Sequence, residues 1–104
     1  MGQSASKIEI IYQQVRIEKQ LRKADDEVPK AFADMVEKIQ AMDMVQLRQS
    51  KGLGWEKIPG RLHVGQQTYS LRINSDWRAL CVLQTGPQIE ILFIAKHDAS
   101  YRCR

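Results

Sequence analysis

The sequence predicts an α+β fold in which two N-terminal helices pack on one face of a small antiparallel sheet. One observation is a stripe of apolar residues at helical spacing within residues 28–42. A second is the alternation of apolar and polar residues over 68–74, which is typical of a half-buried strand. The third is a pair of nearly continuous apolar runs, 77–84 and 89–96, which predict strands in the sheet interior.

The N-terminal half contains the predicted helices. A short apolar run at residues 7–12 could be a strand ahead of them, and the charged stretch 13–23 favours a helix, although periodicity leaves their boundary open. A second helix is predicted to begin at 25–29, because a capping Asp, further acids and an early proline suit the positive end of a helix dipole. We expect it to end by Gln49, since two glycines follow within 50–54.

Residues 55–65 have a loop-like pattern with a turn at Pro59-Gly60, and the period then changes to that of strands. The first two strands are expected to form a hairpin whose register the sequence restricts. A three-residue loop pairs Ile73 with Trp77 and keeps the apolar residues of both strands on one face, whereas a two-residue loop does not.

That register makes Arg72 and Arg78 direct cross-strand neighbours on the face away from the helices. Like charges in this position destabilise a sheet by a few tenths of a kcal/mol, up to about 1 kcal/mol, so we expect an anion to bind there. The hypothesis requires both guanidinium groups to share one face and to remain reachable. The alternative is a solvated edge of the sheet that happens to carry two arginines.

The last predicted strand extends this face. Continued alternation puts four residues on the core side: Ile89, Ile91, Phe93 and Ala95. Lys96 is then expected beside the two arginines, above an apolar floor formed by Leu80, Val82, Leu92 and Ile94. A basic rim beside an apolar floor can bind a phosphodiester, and the imidazole of His97 and the phenol of Tyr101 would lie at its edge.

Composition and charge agree with a small intracellular domain. The 104 residues fit one domain, 1–104, with residues 1–6 expected to be a flexible tail. No secretory or membrane-spanning pattern is present, and Cys81 and Cys103 have neither disulfide-framework nor metal-ligand spacing, so we expect a cytoplasmic protein. The net charge of +4 lies in residues 51–104, which hold eight Lys/Arg against four Asp/Glu. This charge fits phosphate-bearing or acidic partners and equally fits a role in solubility alone.

Two segments resemble the RelE/ParE toxin superfamily. The run YSLRINSDWRAL at residues 69–80 resembles the family's central hairpin, in which an arginine-bearing strand turns into an aromatic-arginine pair. The run ILFIAKHDASY at residues 91–101 looks like the family's last strand with its terminal His-Asp and Tyr elements. The likeness covers roughly residues 25–101 and is strongest from residue 69 onward.

The resemblance implies the toxin of a toxin-antitoxin pair, neutralised by a cognate antitoxin, that cleaves mRNA on the ribosome without a metal or other cofactor. In that chemistry the ribose 2′-hydroxyl attacks the adjacent phosphate while basic side chains hold it. Four residues would be catalytic by position: Arg72, Arg78, His97 and Tyr101. Three more would extend the RNA-binding surface: Lys57, Arg61 and Lys96. Glu56 and His63 are further base candidates in a stretch whose register the sequence leaves open.

Two other functions fit the same residues. One is a non-enzymatic, gyrase-inhibiting toxin of the same superfamily, which would lack the catalytic set. The other is an inactive, toxin-like module that uses its basic groove to hold an acidic or amphipathic partner helix. The joint presence of arginines, a histidine and a tyrosine favours the endoribonuclease.

Overall fold

The computed structural model describes residues 7–96. The predicted tail at residues 1–6, the predicted catalytic residues His97 and Tyr101, and Cys103 therefore lie outside the described residues. Within residues 7–96 the chain forms β1 Glu9–Tyr12, α1 Gln14–Lys23, α2 Val28–Gln40, α3 Met44–Gln49, β2 Glu56–His63, β3 Gln66–Arg72, β4 Trp77–Gln84 and β5 Gln88–Lys96. The α+β prediction is confirmed, and so is the short strand before the first helix.

The helical region contains one more break than the sequence predicted. Asp43 has an extended backbone, its side chain accepts a hydrogen bond from the Gln46 backbone N–H at 2.9 Å, and the Gln46 side chain accepts one from the Asp43 N–H at 3.0 Å. This capping box begins a new helix, so the single helix expected to reach Gln49 is two. Within residues 7–96, no helix combines the length and the apolar character needed to cross a lipid bilayer.

The strands form one sheet in the order β1-β5-β4-β3-β2. The predicted antiparallel sheet is found in β2 to β5, and β1 makes the sheet mixed because it pairs with β5 in parallel, with Ile10 opposite Ile89. The prediction of a loop at residues 55–65 is wrong, since β2 occupies most of this stretch. Strand β2 pairs with β3 only near its two ends and is irregular between Lys57 and Leu62, where a proline and a glycine hid the strand pattern.

The helices cover one face of the sheet, called here the helix face. Its buried residues come from all three helices and from the strands: Ile17, Val28, Phe32, Met35, Ile39, Leu47, Leu71, Ile73, Ala79, Cys81, Ile89, Ile91 and Ile94. The other side, called the open face, carries the alternate residues of β3 and β4. The apolar stripe of α2 and the odd-numbered positions of the central hairpin therefore belong to one core, as the alternation predicted.

A β-bulge in β5 changes the predicted faces of its second half. Leu80 lies opposite Phe93, but its neighbour Cys81 lies opposite Ile91, so Leu92 is an extra residue. One extra residue exchanges the two faces from that point on. Three expectations are corrected as a result: Phe93 and Ala95 face the open side, Ile94 belongs to the core, and Lys96 is opposite Trp77 on the helix face.

Candidate nucleic-acid interface

The central hairpin brings Arg72 and Arg78 together on the open face. They are direct cross-strand partners, which is the register that the three-residue loop predicted. The turn fixes this register, because the Asn74 side-chain oxygen accepts hydrogen bonds from the backbone N–H groups of Asp76 and Trp77, both at 2.9 Å. The arginine pair is therefore set by a local turn rather than by distant packing.

The two arginines differ in exposure. The Arg72 side chain is exposed, whereas Arg78 retains only 7% of its accessible surface. The loop before β2 contributes to this burial, because a Cβ placed on Gly54 would lie 3.2 Å from Nη1 of Arg78 and 3.5 Å from Cβ of Arg72. The requirement of a shared face is met, but the requirement that both guanidinium groups remain reachable is not, because Arg72 is exposed and Arg78 is buried.

Arg61 joins the open face from the edge strand. Its guanidinium carbon lies 5.7 Å from the centre of the Phe93 ring. Strands β3 and β4 lie between β2 and β5, so this contact passes over both. Leu80 and Val82 on β4 are fully buried although they lie outside the helix-face core. The predicted apolar floor thus exists at these two positions.

Glu56 also lies on the open face, and His63 is far from the arginines. Glu56 is opposite Ser70, one row of residues away from the arginine pair, and its side chain is exposed. His63 is opposite Gln66, six positions along β3 from Arg72, which corresponds to about 20 Å. Of the two further base candidates, only Glu56 is near the site.

The two remaining predicted RNA-binding lysines lie on the helix face. Lys57 is opposite Tyr69, which packs against the core. Lys96 is opposite Trp77, with its ammonium nitrogen 6.0 Å from the centre of the indole ring. The placement of Lys96 beside the arginines is therefore wrong, because the bulge at Leu92 turns it to the other side.

Cys81 is a core residue. Its thiol is fully buried, and burial raises the pKa of the thiol above its ordinary value, so it stays protonated at neutral pH and is a poor nucleophile. Over residues 7–96, no group of three or more His, Cys, Asp or Glu side chains is arranged to hold a metal ion.

Sequence reasoning missed Gly54 and the position of Phe93. In the sequence Gly54 indicates only the end of a helix, whereas in the structure it has a backbone φ of +57° and lies against both arginines. A positive φ favours glycine, but a single sequence does not show which of its glycines has one. Phe93 was misplaced because nothing in an apolar run signals where a bulge falls.

Comparison with known proteins leaves the family unassigned: no protein-family model matches the chain, and a search of curated proteins gives no match.

Proposed function

We propose that this chain is a RelE/ParE-type toxin that cleaves mRNA on the ribosome in the cytoplasm, without a metal or other cofactor, and that a cognate antitoxin neutralises it. The observation that carries the proposal is the pairing of Arg72 with Arg78 on the sheet face that the helices leave uncovered. Two neighbouring guanidinium groups give this part of the open face a local positive charge, which suits the phosphate of an RNA backbone.

The reaction is a transesterification. The ribose 2′-oxygen forms a bond to the adjacent phosphorus, the bond from phosphorus to the 5′-oxygen breaks, and the products are a 2′,3′-cyclic phosphate and a 5′-hydroxyl. Arg72, whose side chain is exposed, contacts the phosphate oxygens directly. Arg78 supplies a second positive charge from a buried position, where a fixed charge stabilises the transition state more strongly than in water.

Glu56 is the proposed general base, which takes the proton of the 2′-hydroxyl. Its support is its location on the open face, one row from the arginine pair. The proton for the leaving 5′-oxygen comes from His97, which follows β5 directly in the sequence, or from Tyr101 further along the chain. Arg61, held over Phe93, contacts RNA beside the scissile phosphate.

The test is induction of the chain in bacteria without an antitoxin, followed by primer extension on cellular mRNA. We expect growth arrest and new 5′ ends within translated codons. Arg72→Ala and Arg78→Ala should abolish both effects, while Arg22→Ala, which removes the same charge from exposed α1, should not. Full toxicity of both open-face variants, or a DNA-damage response in place of mRNA cleavage, would contradict the proposal.

A second candidate is a non-catalytic, toxin-like binding module, which the low exposure of Arg78 favours. In that case the open face binds an acidic partner through Arg72 and Arg61, and Arg78 has a structural role. Induction would then be harmless, and wild-type protein would leave ribosome-bound mRNA intact.

A further inference from the structure

Gly54 lies against both members of the arginine pair. Its φ is +57°, and a Cβ built on it would lie 3.2 Å from Nη1 of Arg78, 3.5 Å from Cβ of Arg72 and 3.9 Å from Nε of Arg72. The distance to Arg78 is shorter than most Cβ contacts in proteins, so any side chain here would displace its neighbour by a few tenths of an ångström. Only glycine lets this loop and the arginines lie so close together.

The loop around Gly54 is anchored on both sides. The Leu53 side chain is 4% exposed, and its carbonyl oxygen accepts a hydrogen bond from the Arg72 backbone N–H at 2.8 Å. On the other side, the Trp55 ring stacks on Tyr69 with centres 4.4 Å apart and planes 9° apart. Because the loop is tied to β3 before and after Gly54, an added Cβ would move the guanidinium of Arg78 rather than the loop.

We propose that Gly54 is a positioning residue that sets where the Arg78 guanidinium lies relative to Arg72. The inference rests on the proposed function, in which this pair holds the scissile phosphate. Phosphate binding by two fixed cations depends on their separation, and small misplacements of catalytic groups cost rate steeply. The side-chain-free backbone at residue 54 is therefore part of the site's geometry, although it contacts no substrate.

The experiment compares two substitutions at Gly54 with a control for backbone strain. Gly54→Asn introduces a Cβ in a residue that tolerates positive φ, and Gly54→Ala introduces a Cβ in one that does not. Gly86→Ala is the control, because Gly86 has a φ of +70° and no described atom within 4 Å of its Cβ position. We expect both Gly54 variants to cleave ribosome-bound mRNA roughly tenfold or more slowly in single turnover. Gly86→Ala, assayed as folded protein, should stay within about twofold of wild type, because its strain is far from the arginines.

A second readout separates this inference from the proposed function. The Nε–Hε NMR signal of Arg78 should move in Gly54→Asn and stay in place in Gly86→Ala, whether or not the wild type cleaves RNA. Arg78→Lys removes Nη1, the atom nearest to a Cβ at residue 54. In that background Gly54→Asn should slow cleavage by less than about a further twofold, since the two changes act through the same atom.

The outcome of each measurement supports or overturns the positioning role of Gly54. An unmoved Arg78 signal, a moved signal with wild-type cleavage, or a full additional loss in the Arg78→Lys background would overturn the inference. So would unfolding of both Gly54 variants while Gly86→Ala folds, since the role would then be structural. If the wild type itself cleaves no mRNA, the proposed function fails, and the Arg78 signal alone still tests the positioning role.

Discussion

The two faces of the sheet are built on different principles. The helix face is continuous apolar packing, with Phe32, Ile39 and Leu71 almost completely buried. The open face places three arginines and a glutamate around a narrow buried strip of β3 and β4. Burial of apolar surface stabilises the fold, whereas adjacent like charges oppose it. The contrast teaches that stability resides mainly on the helix face, whereas the open face gathers the charged side chains that the proposed RNA site would use.

The largest expected effect comes from a cavity on the helix face, which tests whether stability and activity depend on different faces of the sheet. Phe32→Ala removes a ring that is 3% exposed and packs edge-on against Tyr12. We expect the free energy of unfolding to fall by about 3–5 kcal/mol. Urea unfolding followed by circular dichroism measures this. Cleavage per folded molecule should be unchanged, so a specific loss of activity in this variant would show that the faces are not separable.

A substitution of Glu56, the proposed general base, tests whether the open face can lose cleavage activity without losing stability. Glu56→Gln keeps the shape of an exposed side chain and removes its ability to take a proton. We expect the single-turnover cleavage rate to fall by about a hundredfold, with RNA affinity and the unfolding midpoint close to wild type. If the rate falls only because RNA binding weakens, Glu56 is not the base.

Arg61→Ala tests the contact that crosses the open face. The loss of the guanidinium over Phe93 should lower the free energy of unfolding by about 0.5–1 kcal/mol. It should also weaken RNA binding, because one cation of the surface is gone. If stability falls and RNA affinity is unchanged, the contact of Arg61 with Phe93 has a structural role only.

The smallest effect is expected for Lys96→Ala. Lys96 carries the same charge as the arginines but lies beside Trp77 on the helix face. Its removal should change cleavage and RNA affinity by no more than about twofold, since an exposed charge away from the ligand contributes little. A tenfold loss of cleavage would mean that Lys96 reaches the site despite the bulge.

The arginine pair could be predicted from sequence because its causes are local. A turn stabilised by the Asn74 side chain and strict alternation on each side leave one register that keeps the apolar set together. The position of Lys96 could not be predicted in the same way, because one extra residue at Leu92 reverses every face that follows. The alternation of apolar and polar residues predicts the face of the sheet on which a side chain lies only up to the next β-bulge.

The rest of the site depends on contacts between distant segments. Strand β2 escaped prediction because its pairing is interrupted around Pro59 and Gly60, and the location of Glu56 followed from that strand. Gly54 meets the arginines only after the loop is hydrogen-bonded to β3 through Leu53. Neither feature has a local pattern, so the fold had to be known first.

The most direct test of the central claim is the affinity of single-stranded RNA for two variants that lose the same charge from opposite faces. Fluorescence anisotropy with an end-labelled RNA at fixed salt would compare Arg72→Ala, on the open face, with Arg22→Ala, on α1. Arg72→Ala should weaken binding by about tenfold or more and reduce its salt dependence, while Arg22→Ala stays within about twofold. Equal losses in the two variants, or a larger loss in Arg22→Ala, would contradict an RNA site on the open face.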